Sequence, residues 1–179
     1  MSQPISVSVQ MDAASFRSFR WFDLLRHNRI WRRPVLFAAI LLLFAGVCLT
    51  QLGSRDQAGL LATVLTVVAL GLPAVYFWNC AHSIRIYTKK LGLDKGPLPF
   101  YRLELDSEGL SVWMAGAQDK AEPARRHPWQ ELHLAYRTPE AIYLYVQQNQ
   151  AYLLNGSMDA AWNLLQQVLP AQRLRDLRR

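Results

Sequence analysis

Residues 34–52 read PVLFAAILLLFAGVCLTQL and residues 58–79 read AGLLATVLTVVALGLPAVYFWN; neither run holds an Asp, Glu, Lys, Arg or His. At 1.5 Å per residue they make helices of roughly 28 and 33 Å, close to the bilayer hydrocarbon thickness of about 30 Å. Their Val, Leu, Ile and Phe residues contribute about −0.3 to −0.6 kcal/mol apiece to insertion, and no charge opposes them. A soluble core helix of that length keeps a polar face. The sequence therefore predicts two membrane spans. A cleaved signal peptide is not expected, because six arginines precede the first run.

Only Gln51 to Gln57 joins the runs, so a tight helical hairpin is expected. Small residues recur at helical spacing (Ala38/Ala39, Ala45/Gly46; Ala62, Thr66, Ala69) and would let the two backbones approach. Pro73 is read as a packing kink in the second span. Cys48 and Cys80 fall at opposite ends of such a hairpin, too far apart for a disulfide.

The formal net charge of +7 is unevenly placed. Residues 1–34 hold six Arg against two Asp, the 51–57 loop one of each sign, residues 80–99 four Lys/Arg against one Asp, residues 100–170 five against eight acids, and residues 171–179 four Arg against one Asp. The excess of basic residues on both flanks predicts a hairpin with both termini cytoplasmic and the short loop outside. Arg17, Arg20, Trp21, Arg26, Arg29, Trp31, Arg32 and Arg33 before the first run are the expected interface residues. Tyr76, Trp78, Arg85, Lys89 and Lys90 complete the set at the end of the second, basic side chains for anionic headgroups and aromatics for the interfacial belt. The expected partner is thus the anionic inner leaflet, with a protein partner or self-association beside it. Nucleic acid is not expected, since the polar domain is acidic and carries no basic face.

Outside the hairpin, Ile5, Val7, Val9 and Met11 alternate with polar residues as in a strand, and Ala13 to Ile30 is compatible with an amphipathic helix. Residues 1–33 are read as that strand and juxtamembrane helix, 34–80 as the hairpin, and 81–99 as a helical extension and linker broken by Gly92, Gly96, Pro97 and Pro99. From Phe100 the period becomes two. Strands are expected at 100–105, 110–114, 129–137, 141–147 and 150–154, with a polar loop at 115–124. A closing helix follows at 158–169, capped by Asn155-Gly156-Ser157, and residues 171–179 are a basic tail. The fold class is accordingly a membrane protein, α+β, with a transmembrane helical hairpin and a small antiparallel sheet domain, 100–170, closed by a helix.

Tyr101-x-Leu103, Glu108-Gly109-Leu110, Trp129-x-x-Leu132, Arg137-Thr138, Ile142-Tyr143-Leu144-Tyr145 and Ala151-Tyr152-Leu153-Leu154, in this layout, resemble the YcxB-like family of bacterial membrane proteins. The resemblance implies a pleckstrin-homology-like C-terminal domain behind a two-helix hairpin in the bacterial inner membrane, and no established catalytic site. An Ile-Pro-Lys-Arg-like turn often found in that family is replaced here by Leu154-Asn155-Gly156-Ser157.

No nucleophile elbow, phosphate loop, dinucleotide fingerprint, zincin helix or paired-cysteine zinc spacing occurs. His127, Glu131 and His133 form the one cluster with chemical content; on a strand Glu131 and His133 would share a face, more simply a solvated one than a metal or acid–base site. No ionisable group lies mid-span, which speaks against an ion pathway. No cofactor or metal is expected. The reading is a membrane-anchored, cytoplasm-facing, non-catalytic binding or scaffolding module. An accessory or regulatory subunit of a larger inner-membrane complex is the alternative, and a membrane-surface enzyme ranks last.

Overall fold

Val7, Val9 and Met11 point one way along the strand β1 (Ile5–Met11) and are buried, while Ser6, Ser8 and Gln10 are exposed. That strand finds its partner almost ninety residues away: it pairs antiparallel with β2 (Leu98–Leu105), Ile5 opposite Leu105 and Val9 opposite Tyr101. In the computed structural model, which describes residues 4–51, 57–116 and 122–178, the chain divides into two units. One joins Met1–Ala13 to Lys95–Arg179, and the other is Ala14–Asp94. The N-terminal strand, grouped by sequence with residues 1–33, thus belongs to the β unit.

In the β unit, β2 turns through Asp106–Gly109 into β3 (Gly109–Met114). Asp106 Oδ1 accepts from the backbone N–H of Glu108 and of Gly109, at 2.7 and 2.8 Å, and sets the turn. β3 pairs with β4 (Arg125–Pro128), completing a four-stranded sheet in the order β1-β2-β3-β4. Gly109 is required at that crossing, because a Cβ there would lie 2.3 Å from the His127 carbonyl oxygen.

The second sheet has the order β7-β6-β5-β8, from β5 (Leu134–Arg137), β6 (Ile142–Gln147), β7 (Gln150–Leu154) and β8 (Leu174–Asp176). β6 is buried continuously from Ile142 to Val146, so both its faces are covered and its sequence is an unbroken apolar run. The helix α4 (Met158–Val168) turns Ala161, Trp162, Leu164 and Leu165 inward. Pro170, which could not continue a helix ladder, follows its end.

The β unit departs from the expected five-stranded sheet in four places. The stretch 129–137 is a 3-10 turn, Trp129–Glu131, followed by β5. Arg125–Pro128, expected in the polar loop, is a strand; residues 117–121 of that loop lie outside the described residues. Residues 171–179 are no plain tail, since β8 lies parallel on the edge of β5. Ser157 precedes α4 in the left-handed region (φ 47°) with no side-chain cap bond.

In the helical unit, α1 (Ala13–Phe22) passes into a π-helical turn (Asp23–His27), then α2 (Arg32–Thr50) and α3 (Ala58–Lys90). The expected continuous helix to Ile30 is therefore broken. Arg29 adopts φ 50°, a left-handed conformation costing a non-glycine residue about 1–2 kcal/mol. α3 is uninterrupted through Pro73. The joint expected at Gln51–Gln57 falls mostly on residues 52–56, outside the described ones.

Candidate membrane interface

α2 and α3 meet along a seam of small side chains. Ala45 on α2, and Ala58, Ala62 and Ala69 on α3, are buried. Thr66 disposes of its hydroxyl by donating it to the Ala62 carbonyl oxygen at 2.8 Å. Gly46, expected on the same seam, faces open space instead. The helices are antiparallel: Cys48 shares a recess with Ala58 and Leu61 at one end, and Trp31 shares another with Tyr76 and Cys80 at the other. The cysteines thus sit at opposite ends of the hairpin, and both are free.

What the seam leaves outside is apolar. Leu43 is 66%, Leu60 72% and Leu72 49% exposed, and both helices are long and apolar enough to cross a membrane.

Aromatic and basic residues gather at the Trp31 end. Trp21, Leu24, Leu25 and Ile30 come from the α1 side, Trp31 from the start of α2, and Tyr76, Phe77 and Cys80 from α3, all lining one narrow apolar recess. Several bonds hold the turn in place. The Trp31 indole donates to the Leu25 carbonyl oxygen at 3.1 Å, the Asn28 amide donates to Asp23 Oδ1 at 3.2 Å, and Arg20 stands 3.8 Å from Asp23. The Asp23 carbonyl oxygen accepts from Asn28 N five residues on, the bond that widens the helix.

Of the residues singled out by sequence, Trp21, Trp31 and Tyr76 come together here. Trp78 does not: it points outward, 74% exposed. Arg17, Arg26, Arg29, Arg32 and Arg33 are exposed around this end. α3 runs on beyond Trp78 for about 18 Å and carries exposed Arg85, Lys89 and Lys90 there. Leu24, Leu25, Ile30 and Cys80 were not foreseen as lining residues. Their signal was an apolar stripe at interfacial position, facing the consecutive aromatics Tyr76 and Phe77.

The β unit holds its own polar network. His127 Nε2 lies 3.2 Å from the Tyr152 hydroxyl and His127 Nδ1 lies 3.5 Å from Glu131 Oε2, while the Gln150 amide donates to the same hydroxyl at 3.1 Å. Glu131 therefore meets His127, four residues back across the 3-10 turn, and not His133 as the strand reading expected. Tyr152 is buried at 8% exposure, and this Glu–His–Tyr chain links β4 to β7. Tyr101, on β2, makes a parallel link: its hydroxyl donates to the Leu153 carbonyl oxygen at 3.0 Å and accepts from Leu153 N at 2.7 Å. Burial pushes that phenol well above its ordinary value. Trp129 donates its indole N–H to the Asp106 carbonyl oxygen at 3.0 Å and is a buried anchor. Among the described residues no group of three His, Cys, Asp or Glu side chains is placed to hold a metal ion.

No family model, curated protein or solved structure matches the chain.

Proposed function

We propose that this chain is a membrane-anchored binding module of the YcxB-like kind. α2 and α3 cross the bacterial inner membrane as a hairpin, and the β unit works from the cytoplasmic side. The observation that carries the reading is the outer surface of the hairpin. Two helices of bilayer length expose leucines, valines and phenylalanines on every side but their mutual seam, and water would oppose so large an apolar surface. The collar of arginines, lysines and aromatics at one end supports the orientation, because positive charge is retained on the cytoplasmic side and aromatics settle at headgroup depth. The two-sheet unit with a helix after β7 supports the pleckstrin-homology-like reading of the remainder. Its polar chains serve to join sheets, which favours binding over catalysis.

Alkaline carbonate extraction of membranes from cells expressing the full chain tests the anchoring. The chain is expected to stay in the membrane pellet and to enter the detergent phase on solubilisation. Release by carbonate alone would sink the reading.

A further inference from the structure

The edge of β5 is occupied by the chain's own β8, and the manner of that occupation is informative. β8 makes only three paired positions: Leu174 opposite Ala135, Arg175 opposite Tyr136, and Asp176 opposite Arg137. The pairing is parallel, the less stable kind per residue, and none of its side chains is buried. Leu174 and Leu177 are half-covered, while Arg175 and Asp176 are exposed. What holds the segment is a set of hydrogen bonds to backbone that any suitable segment could make. Arg173 Nη1 donates to the carbonyl oxygens of Gln130 and Leu132 at 3.0 and 2.9 Å, and Leu177 N donates to the Arg137 carbonyl oxygen at 2.8 Å. Arg178 folds back on Asp176 and adds nothing to the edge.

We infer that the β5 edge is a docking site for an extended peptide of the form Arg-Leu-x-x-Leu, and that residues 170–178 are a strap filling it from within the same chain. A sheet edge gives a peptide its affinity through main-chain bonds and its selectivity through alternate side chains. Here the strap makes main-chain bonds and adds the side-chain contacts of Arg173, Leu174 and Leu177. The arginine reads the paired carbonyls of the 3-10 turn, and the two leucines lie half-covered at the edge. Few pairs and no buried anchor make the strap the low-stability part of the unit, poised to exchange for a partner that binds more firmly. The inference rests on the binding-module reading and adds to it a partner class and a built-in competitor.

The test uses the full chain in detergent and a fluorescein-labelled peptide copying residues 170–178. Weakening the strap by Arg173→Ala with Leu174→Ala should tighten peptide binding by about ten-fold, the factor by which an edge occupied nine-tenths of the time masks its affinity. A chain carrying Tyr136→Cys and Arg175→Cys, with Cys48 and Cys80 replaced by serine, should lose peptide binding when oxidised and regain it on reduction. A peptide in which the arginine matching Arg173 is alanine should bind markedly less well. Equal affinity for the parent and the strap-weakened chain would overturn the inference, as would indifference to the peptide's arginine. An oxidised double-cysteine chain that runs as a covalent dimer would also overturn it, because a second copy would then be the occupant. No bilayer is involved, so failure here and failure of the anchoring test are distinct results.

Discussion

The Arg137 guanidinium lies over the Trp162 ring, its Cζ 5.6 Å from the ring centroid, and the same guanidinium bonds to Asp159 Oδ1. Arg137 and Trp162 are both buried, whereas the Asp159 side chain is 88% exposed. Water screens the ion pair from the Asp159 side, so the tryptophan face is the cover that keeps a charged side chain tolerable inside the unit. It joins α4 to β5 at the position that also pairs with β8.

Trp162→Ala should therefore cost about 3–5 kcal/mol, the range for emptying a large aromatic site, and should uncover Arg137 as well. Trp162→Phe, which keeps a ring face, should cost clearly less. Urea unfolding and protease resistance of the full chain in detergent read both; an alanine chain as resistant as the parent would remove Trp162 from the core.

Tyr101→Phe removes a hydroxyl that donates to and accepts from Leu153, the link between β2 and β7. Leaving the buried Leu153 groups without that partner should cost about 1–3 kcal/mol at neutral pH. The pH dependence has a definite sign. The folded-state pKa of Tyr101 is raised above its ordinary 10.0 by burial, and that of Tyr143 is raised for the same leading reason. Their contribution is complete below about pH 10 and is lost as pH climbs above it, because the unfolded chain ionises first. The parent should lose stability above pH 10, and Tyr101→Phe should flatten part of that loss. An alkaline limb of unchanged slope would contradict the burial of the phenol.

Elements that bury one face or both were legible in the sequence. β1, β2, β6, β7 and α4 show themselves by alternation, by a continuous apolar run, or by a helical stripe, and the two apolar helices by length alone. β4 and β8 were not. Arg125-Arg126-His127-Pro128 and Leu174-Arg175-Asp176 carry no such signal, since each is held by backbone pairing to a neighbour that another part of the chain supplies. The membership of β1 in the sheet of the distant β unit was hidden for the same reason. At the collar, the residue types pointed to one end of the hairpin. The outward turn of Trp78 and the break at Asp23–His27 depend on packing that no local pattern records.

The seam between α2 and α3 discriminates sharply among small residues. Ala69 is fully buried on it, and Ala69→Leu should cost about 1–3 kcal/mol by overpacking. Gly46→Leu should cost nothing, because a Cβ at Gly46 meets no atom within 4 Å, and it should gain a few tenths of a kcal/mol or more from helix propensity. Unfolding of the chain in mixed micelles of increasing SDS content measures both. Equal sensitivity at the two positions would mean that the helices pack on another face.

The last prediction concerns orientation. The chain carries six Arg against two Asp before the hairpin and four Lys/Arg against one Asp just after it, with balanced charge between. Arg26, Arg29, Arg32 and Arg33 are exposed at the Trp31 end of the hairpin, and Arg85, Lys89 and Lys90 are exposed on the part of α3 that continues beyond Trp78. On the proposed reading, retention of these charges holds the Trp31 end of the hairpin, and with it both flanking segments, on the cytoplasmic side. A dual reporter inserted at Ser54, a position outside the described residues, should report the external side, and one fused after Arg179 should report the cytoplasm. Changing Arg26, Arg29, Arg32 and Arg33 together to Gln removes an attraction of about 1 kcal/mol per charge near the anionic leaflet, so a measurable fraction of the chain should insert with the Ser54 reporter inside. Arg173 and Arg178 are committed to bonds within their own unit, and changing them to Gln should leave the orientation as it is. If the tail substitutions shifted the reporter and the four collar substitutions did not, the collar would have no part in orienting the chain.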